Sequence, residues 1–349
     1  MVDHRRRFSW RPSWTRGLLG VVALFGVAGA VGLIWHAGWQ AILQVMGRAG
    51  LGLLWLIPLR LVTVGLDTRG WRALLKTRRQ ASWAILFWLG LVRDAVNSLL
   101  PVARVGGEVV AVRLLGLRGV KMSTASASVI VETSVTLVLQ IVLTLTGVAV
   151  LLPYIGAGPL LPRILEVVAV AALVVAAFLL VQLQTGLVGM IERVVGFITG
   201  RSGAPRLTRF RGLDQKVLIL YRRPGALLRC GAWQLFGFVG SAAEIYLMAT
   251  LMGAPLGLAQ VFIFESLIQA VHSVSFAVPG ALGIQEGGFV LLGTVLGVAP
   301  DVALSLALGR RLRQVAIGLP VLGSWQWFER HHRRLGPRQP TLKLPVAGG

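Results

Sequence analysis

One cysteine, Cys230, occurs in 349 residues, which excludes an intrachain disulfide and any cysteine-based metal site and leaves helix packing as its expected role. Acids are scarce, 13 Asp and Glu against 35 Lys and Arg, and charged residues make up only 14% of the chain. A soluble domain would carry about 25%. No HExxH motif and no Cys/His cluster is present, and His272 is the one histidine inside an apolar membrane-type segment, so no metal or other cofactor is expected. No serine stands in a GxSxG setting and no paired aspartates lie in apolar segments, which removes intramembrane proteolysis. The absence of a P-loop lysine motif removes ATP-driven work by this chain alone.

What is present is apolar sequence, 55% of the chain, with a mean hydropathy of +0.75. The formal net charge of +22 does not point to nucleic acid, because the cations stand in short runs beside apolar segments, as in juxtamembrane loops. Membrane lipids are the expected partners. The sequence predicts an all-α, polytopic integral membrane protein with about six to eight transmembrane helices and two Pro/Gly-broken, re-entrant segments that form an internal repeat. Residues 1–16 read as a basic N-terminus, followed by an apolar run to Trp35 that lacks a small-residue cleavage site and so reads as a retained helix and not a signal peptide. Residues 17–328 form one membrane domain, with repeat halves near 82–152 and 258–328 and a basic loop near 184–223; 329–349 is a basic tail. Crossing segments are expected at 17–35, 51–66, 123–152, 160–183, 227–252, 258–278, 289–298 and 302–327, the last interrupted by Arg310, Arg311 and Arg313. An amphipathic piece near 213–220 is expected against anionic headgroups, and the positive-inside rule puts both termini on the cytoplasmic side.

Two stretches organise this pattern, 93–108 (RDAVNSLLPVARVGGE) and 272–288 (HSVSFAVPGALGIQEGG). Superposing Pro101 on Pro279 brings Ala103 onto Ala281 and Glu108 onto Glu286, with Asn97 and Ser275 four positions upstream of the prolines. Broken backbone at membrane depth survives where protein or a water-lined cavity satisfies its amides, so each break is expected to wall a cavity. Between them runs a polar series at a strict spacing of four: Thr124, Ser128, Glu132, Thr136, Gln140 and Thr144. At 100° per residue it advances about 40° per step and winds around its helix.

Ionisable groups at membrane depth are functional candidates by default. They are Arg93, Asp94, Glu108, Glu132, Glu244, Glu265, His272, Glu286, Arg310, Arg311 and Arg313. Glu265, Gln269 and His272 share one helix face. Glu132 and Arg310 each lie 31 residues after their proline, which predicts a central ion pair between the halves. Arginines suit a phosphate or other anionic headgroup, and the glutamates suit proton uptake or pairing with the arginines.

LLPVARVGGEVVAVRLLG, VPGALGIQEGGFVLLG and LALGRRLRQ resemble the membrane domain of lysylphosphatidylglycerol synthases and the related flippase-like family, over nearly the whole of 17–328. LLPVARVGGE looks most like the branch associated with hopanoid biosynthesis in bacteria. The resemblance implies an inner-membrane protein that translocates a polar or anionic lipid, a hopanoid-related lipid or a phospholipid, between leaflets. Onto matching positions it carries Pro101, Gly106, Gly107, Glu108, Pro279, Gly280, Gly283, Glu286 and Arg310 as cavity-forming or headgroup-facing residues. With Arg93, Asp94, Asn97, Glu132, Glu265, His272 and Arg313 these make the expected site. The family's soluble aminoacyl-transferase domain has no counterpart in the basic tail, so lipid lysylation is not expected. A membrane-embedded lipid-modifying transferase and a scaffold for hopanoid-synthesis enzymes are the alternative readings.

Overall fold

Apolar runs bounded by glycine, proline and hydroxyl residues become nine α-helices among the described residues of the computed structural model: 47, 49–75, 81–100, 106–155, 212–274 and 284–334. They are α1 (Leu56–Leu74), α2 (Trp83–Leu99), α3 (Gly106–Leu117), α4 (Met122–Ile155), α5 (Leu213–Tyr221), α6 (Pro224–Leu251), α7 (Leu258–Val274), α8 (Ile284–Val295) and α9 (Pro300–Arg334). The expected helices at 17–35 and 160–183, most of the 184–223 loop, the tail beyond 334, and Pro101, Pro279, Gly280 and Gly283 lie outside the described residues. With the 3-10 turn Gly50–Trp55 ahead of α1, three runs are long and apolar enough to cross a membrane: 50–74, α4 and α6.

Ser82 caps α2, its side chain accepting from the Ile85 amide. After the first break α3 folds back along α2. Asn97 fixes that return, since its Oδ1 accepts from the Gly107 amide at 2.9 Å. A Cβ at Gly107 would lie 2.5 Å from the Arg93 carbonyl oxygen, so only glycine permits this approach. α3 and α8 have 12 residues each, about 18 Å, too short for a core of about 30 Å. They begin 178 residues apart (106 and 284), and α4 and α9 also begin 178 apart (122 and 300). The same turn closes both short helices. Gly119 (φ 87°) and Gly297 (φ 70°) take the left-handed conformation. Val120 N–H donates to Leu115 O, and Val298 N–H to Gly293 O. Each is a Schellman end, which needs a residue without Cβ.

Two expectations on helix bounds are corrected. The segment expected at 51–66 continues to Leu74. Its basic end is accommodated because the Arg69 guanidinium lies over the rings of Trp83 and Trp233, at 5.9 and 5.1 Å, and Arg72 occupies the last turn, where the helix dipole favours a cation. The segment 302–327 is not interrupted by its arginines but runs as one helix of 35 residues.

Packing explains that continuity. The start of α9 joins an apolar cluster with Ile245, Met248, Phe264 and Phe289. Its end, through Leu322 and Trp325, joins another with Leu89, Val92 and Leu115. The arginines fall between the two clusters. α5 lays Leu213, Val217 and Leu220 on Leu74, Ala127, Val131 and Cys230 of the bundle, and leaves Leu218 and Ile219 exposed. Lys216 donates to Ser123 Oγ and Thr124 Oγ1, both at 2.7 Å. Burial, then the neighbouring Lys121 ammonium, hold Lys216 below the usual lysine pKa.

A methyl group at Gly107 must displace backbone, whereas one at Gly287 meets nothing within 4 Å. Gly107→Ala is expected to destabilise the purified protein by about 1–3 kcal/mol, as overpacking does, and Gly287→Ala to leave thermal unfolding nearly unchanged.

Candidate functional site

The polar series of α4 is the spine of the site. Its winding gives each step a different neighbour. Thr124 meets Lys216 of α5, Ser128 accepts from Trp71 Nε1 of α1 at 3.1 Å, and Glu132 accepts from Arg93 of α2 at 2.5 Å. Thr136 donates to Gln234 of α6 at 3.0 Å, and Gln140 donates to the Ser266 carbonyl of α7 at 3.1 Å. One helix thereby touches five others through polar side chains.

A cavity of about 340 Å³ opens beside the middle of this spine. Its charged wall comprises Arg60, Arg93, Arg310 and Arg313 with Asp67, Asp94, Glu108, Glu132, Glu244 and Glu265; Asn97, Gln269, His272 and Gln285 also line it. The arginines are all paired. Arg60 binds Asp94 at 2.7 Å. Arg93 is shared, reaching Glu108 at 2.6 Å and Glu132 at 2.5 Å. Arg310 binds Glu265 and the Ser241 carbonyl oxygen, and Arg313 binds Glu244. Gln269 donates to Glu265, so the predicted Glu265, Gln269, His272 face is turned inward.

The expected Glu132–Arg310 pair does not form. Each group is taken by a partner on the opening helix of its own half, Glu132 by Arg93 of α2 and Arg310 by Glu265 of α7. The charges are exchanged: base on α2 and acid on α4, acid on α7 and base on α9. Glu108 and Glu286 both stand in the first turn of a returning helix, where the helix dipole favours an anion. They differ in position, since Glu108 lines the cavity while Glu286 is held outside that wall by a forked contact with Arg311. Gly106 and Gly107 open α3 beside Asn97.

Asp67 is a charged cavity residue that sequence reasoning missed. It follows an apolar run near a basic stretch and reads there as part of a loop boundary; only the extension of α1 to Leu74 brings it inward. Its carboxylate lies against Gly237 of α6, where any Cβ would collide with it. Arg60, within the segment expected at 51–66, is likewise absent from the expected site, and the structure pairs it with Asp94.

The chain belongs to the family described as lysylphosphatidylglycerol synthase TM region, which matches residues 18–321. It is also similar to a UPF0104 membrane protein of Methanothermobacter thermautotrophicus, 28% identical over 253 residues, covering 65% of this chain and 70% of that one. No solved structure matches. The protein is therefore an integral, multi-pass membrane protein.

Glu244 and Arg313 are 1% and 7% exposed, so removing one partner strands a buried charge. Arg313→Met is expected to lower stability by about 3–5 kcal/mol, and the double variant Arg313→Met/Glu244→Leu to recover most of it. Thermal unfolding in detergent would read both; equal destabilisation by the single and double variants would mean that the pair contributes nothing as a pair.

Proposed function

We propose that this chain is a lipid translocator, not an enzyme, and that a polar headgroup passes through the charged cavity while its tails remain in the bilayer. The observation that carries this reading is a cavity with six carboxylates and four arginines inside an otherwise apolar bundle. Charge at membrane depth costs roughly 2.5–3.5 kcal/mol per group on insertion scales, and structure alone does not call for so much of it in one place. A volume of about 340 Å³ suits a headgroup, lying within the range of roughly 300–1,000 Å³ of small-ligand pockets.

Residues of the cavity wall also have buried atoms without hydrogen-bond partners among the described residues, namely Nε of Arg310 and Arg313 as donors and Oε1 of Glu244 and Gln285 as acceptors. Donors and acceptors together suit a headgroup that has both. Because each arginine already meets a carboxylate, an anionic headgroup would have to break a pair. A headgroup carrying a positive group as well as a phosphate or hydroxyls offsets the two surplus carboxylates and fits better. A phospholipid or a hopanoid-related lipid can supply that chemistry. The matched units α2–α4 and α7–α9 act as repeats that rock about the cavity, in a bacterial inner membrane with the basic segments on the cytoplasmic side.

Reconstitution into liposomes with labelled phospholipid or amino-bearing hopanoid tests the reading. The wild type is expected to accelerate exchange between leaflets, and Glu108→Gln and Glu265→Gln to reduce it at least tenfold while eluting as folded protein. Undiminished exchange in both variants would exclude the cavity as the route.

A further inference from the structure

The carboxylates of the cavity outnumber its arginines by two. One of the two surplus carboxylates arises where Glu108 and Glu132 divide a single guanidinium, Arg93. Asp67 is the other, and it forms no ion pair among the described residues. Its place differs from the rest: it sits on α1 against the Gly237 backbone of α6, in the most extensive helix contact of the bundle. Each of these two helices is tied by an ion pair to a different half, α1 to α2 through Arg60–Asp94 and α6 to α9 through Glu244–Arg313.

We propose that Asp67 is a proton-binding site at this seam and that a proton on it exchanges with the positive group of the headgroup, making translocation a proton antiport. The proposal rests on the translocation reading above. The charged and titratable groups around Asp67 favour such an exchange. On its own helix Arg60 is committed to Asp94. From α2 it faces Arg93 and Asp94, and from α4 Glu132. α6 presents Glu244 and the Cys230 thiol, and α9 presents Arg313, already bound to Glu244. Among the described residues no arginine is left over for Asp67, and water or the headgroup supplies its positive charge. A proton taken from water forms the O–H bond on Asp67 and returns to water on the opposite side when the headgroup's cation takes its place. No other reactant is needed; because a headgroup such as that of phosphatidylethanolamine is neutral overall, each exchange carries one net positive charge across the membrane with the proton.

The test uses the full chain in liposomes with labelled phosphatidylethanolamine and an entrapped pH dye. With one-for-one exchange and the membrane potential held at zero by potassium and valinomycin, a pH difference of one unit should drive labelled lipid into the leaflet facing the acidic compartment, to a steady-state ratio of about tenfold, with proton flux in the opposite direction. Asp67→Asn should abolish both the asymmetry and the flux, and Asp67→Glu should restore them. Wild-type lipid movement with no response to the gradient, or a full response in Asp67→Asn, would overturn the proposal. A second readout is independent of lipid movement. Infrared titration from about pH 4 to 9 should show a protonated-carboxyl band that Asp67→Asn removes, and no such band would overturn the proton site. If folded wild type moves no lipid yet shows the band, the translocation reading fails while the proton site stands.

Discussion

Guanidinium–carboxylate pairing within an apolar shell is the condition on which the rest of this bundle depends. α9 shows it most directly. Arg310, Arg311 and Arg313 lie within four consecutive positions and each reaches an acid on a different helix: Glu265 of α7, Glu286 of α8 and Glu244 of α6. Without those acids the helix could not be buried, because a lone charge at that depth is opposed by several kcal/mol. With them, the positions of α6, α7 and α8 around α9 are chosen. Such pairs are a weak source of net stability, since desolvation offsets much of the attraction. Their contribution is to specify which helices become neighbours in a protein whose lipid-facing surfaces, such as Leu228, Leu235, Phe236 and Val239 of α6, are interchangeable.

Periodicity and punctuation made much of this fold legible in the sequence. The fourfold spacing along α4 forecast a spine that winds, and its first five steps each meet a new helix, while Thr144 bonds to Gln140 of α4 itself. The two Pro/Gly stretches marked where short helices begin: α3 and α8 follow them, each with an acid in its first turn. Local signals of this kind depend on neighbours in the chain, which the sequence displays. Partner choice does not. Glu132 and Arg310 stand at matching offsets and both line the cavity, yet matching offset says nothing of which side chain arrives first. Arg93 of α2, in the same half, reaches Glu132 instead. Asp67 was hidden for a related reason. Arg69 and Arg72 look like the start of a loop until the indoles of Trp83 and Trp233, distant in sequence, fold over Arg69 and let the helix continue.

The exchanged charges of the two halves bear on how the cavity could change its access. The pairs Arg93–Glu132 and Glu265–Arg310 lie within α2–α4 and within α7–α9, so relative movement of the units leaves both intact. α9 is the element that such movement must deform. Its beginning packs with Phe264 and Phe289 of the second unit, and its end packs with the first through Trp88, which donates to Ser324 at 3.0 Å, and through Arg113–Glu329. Pro320 stands between the arginines and that end. Proline removes one backbone hydrogen bond and crowds the preceding turn. That proline lies within the stretch of α9 that packs on the first unit, where Val315 and Gly318 already meet the first unit ahead of it, whereas Arg310 and Arg311 on the other side stay with Glu265 and Glu286 of the second.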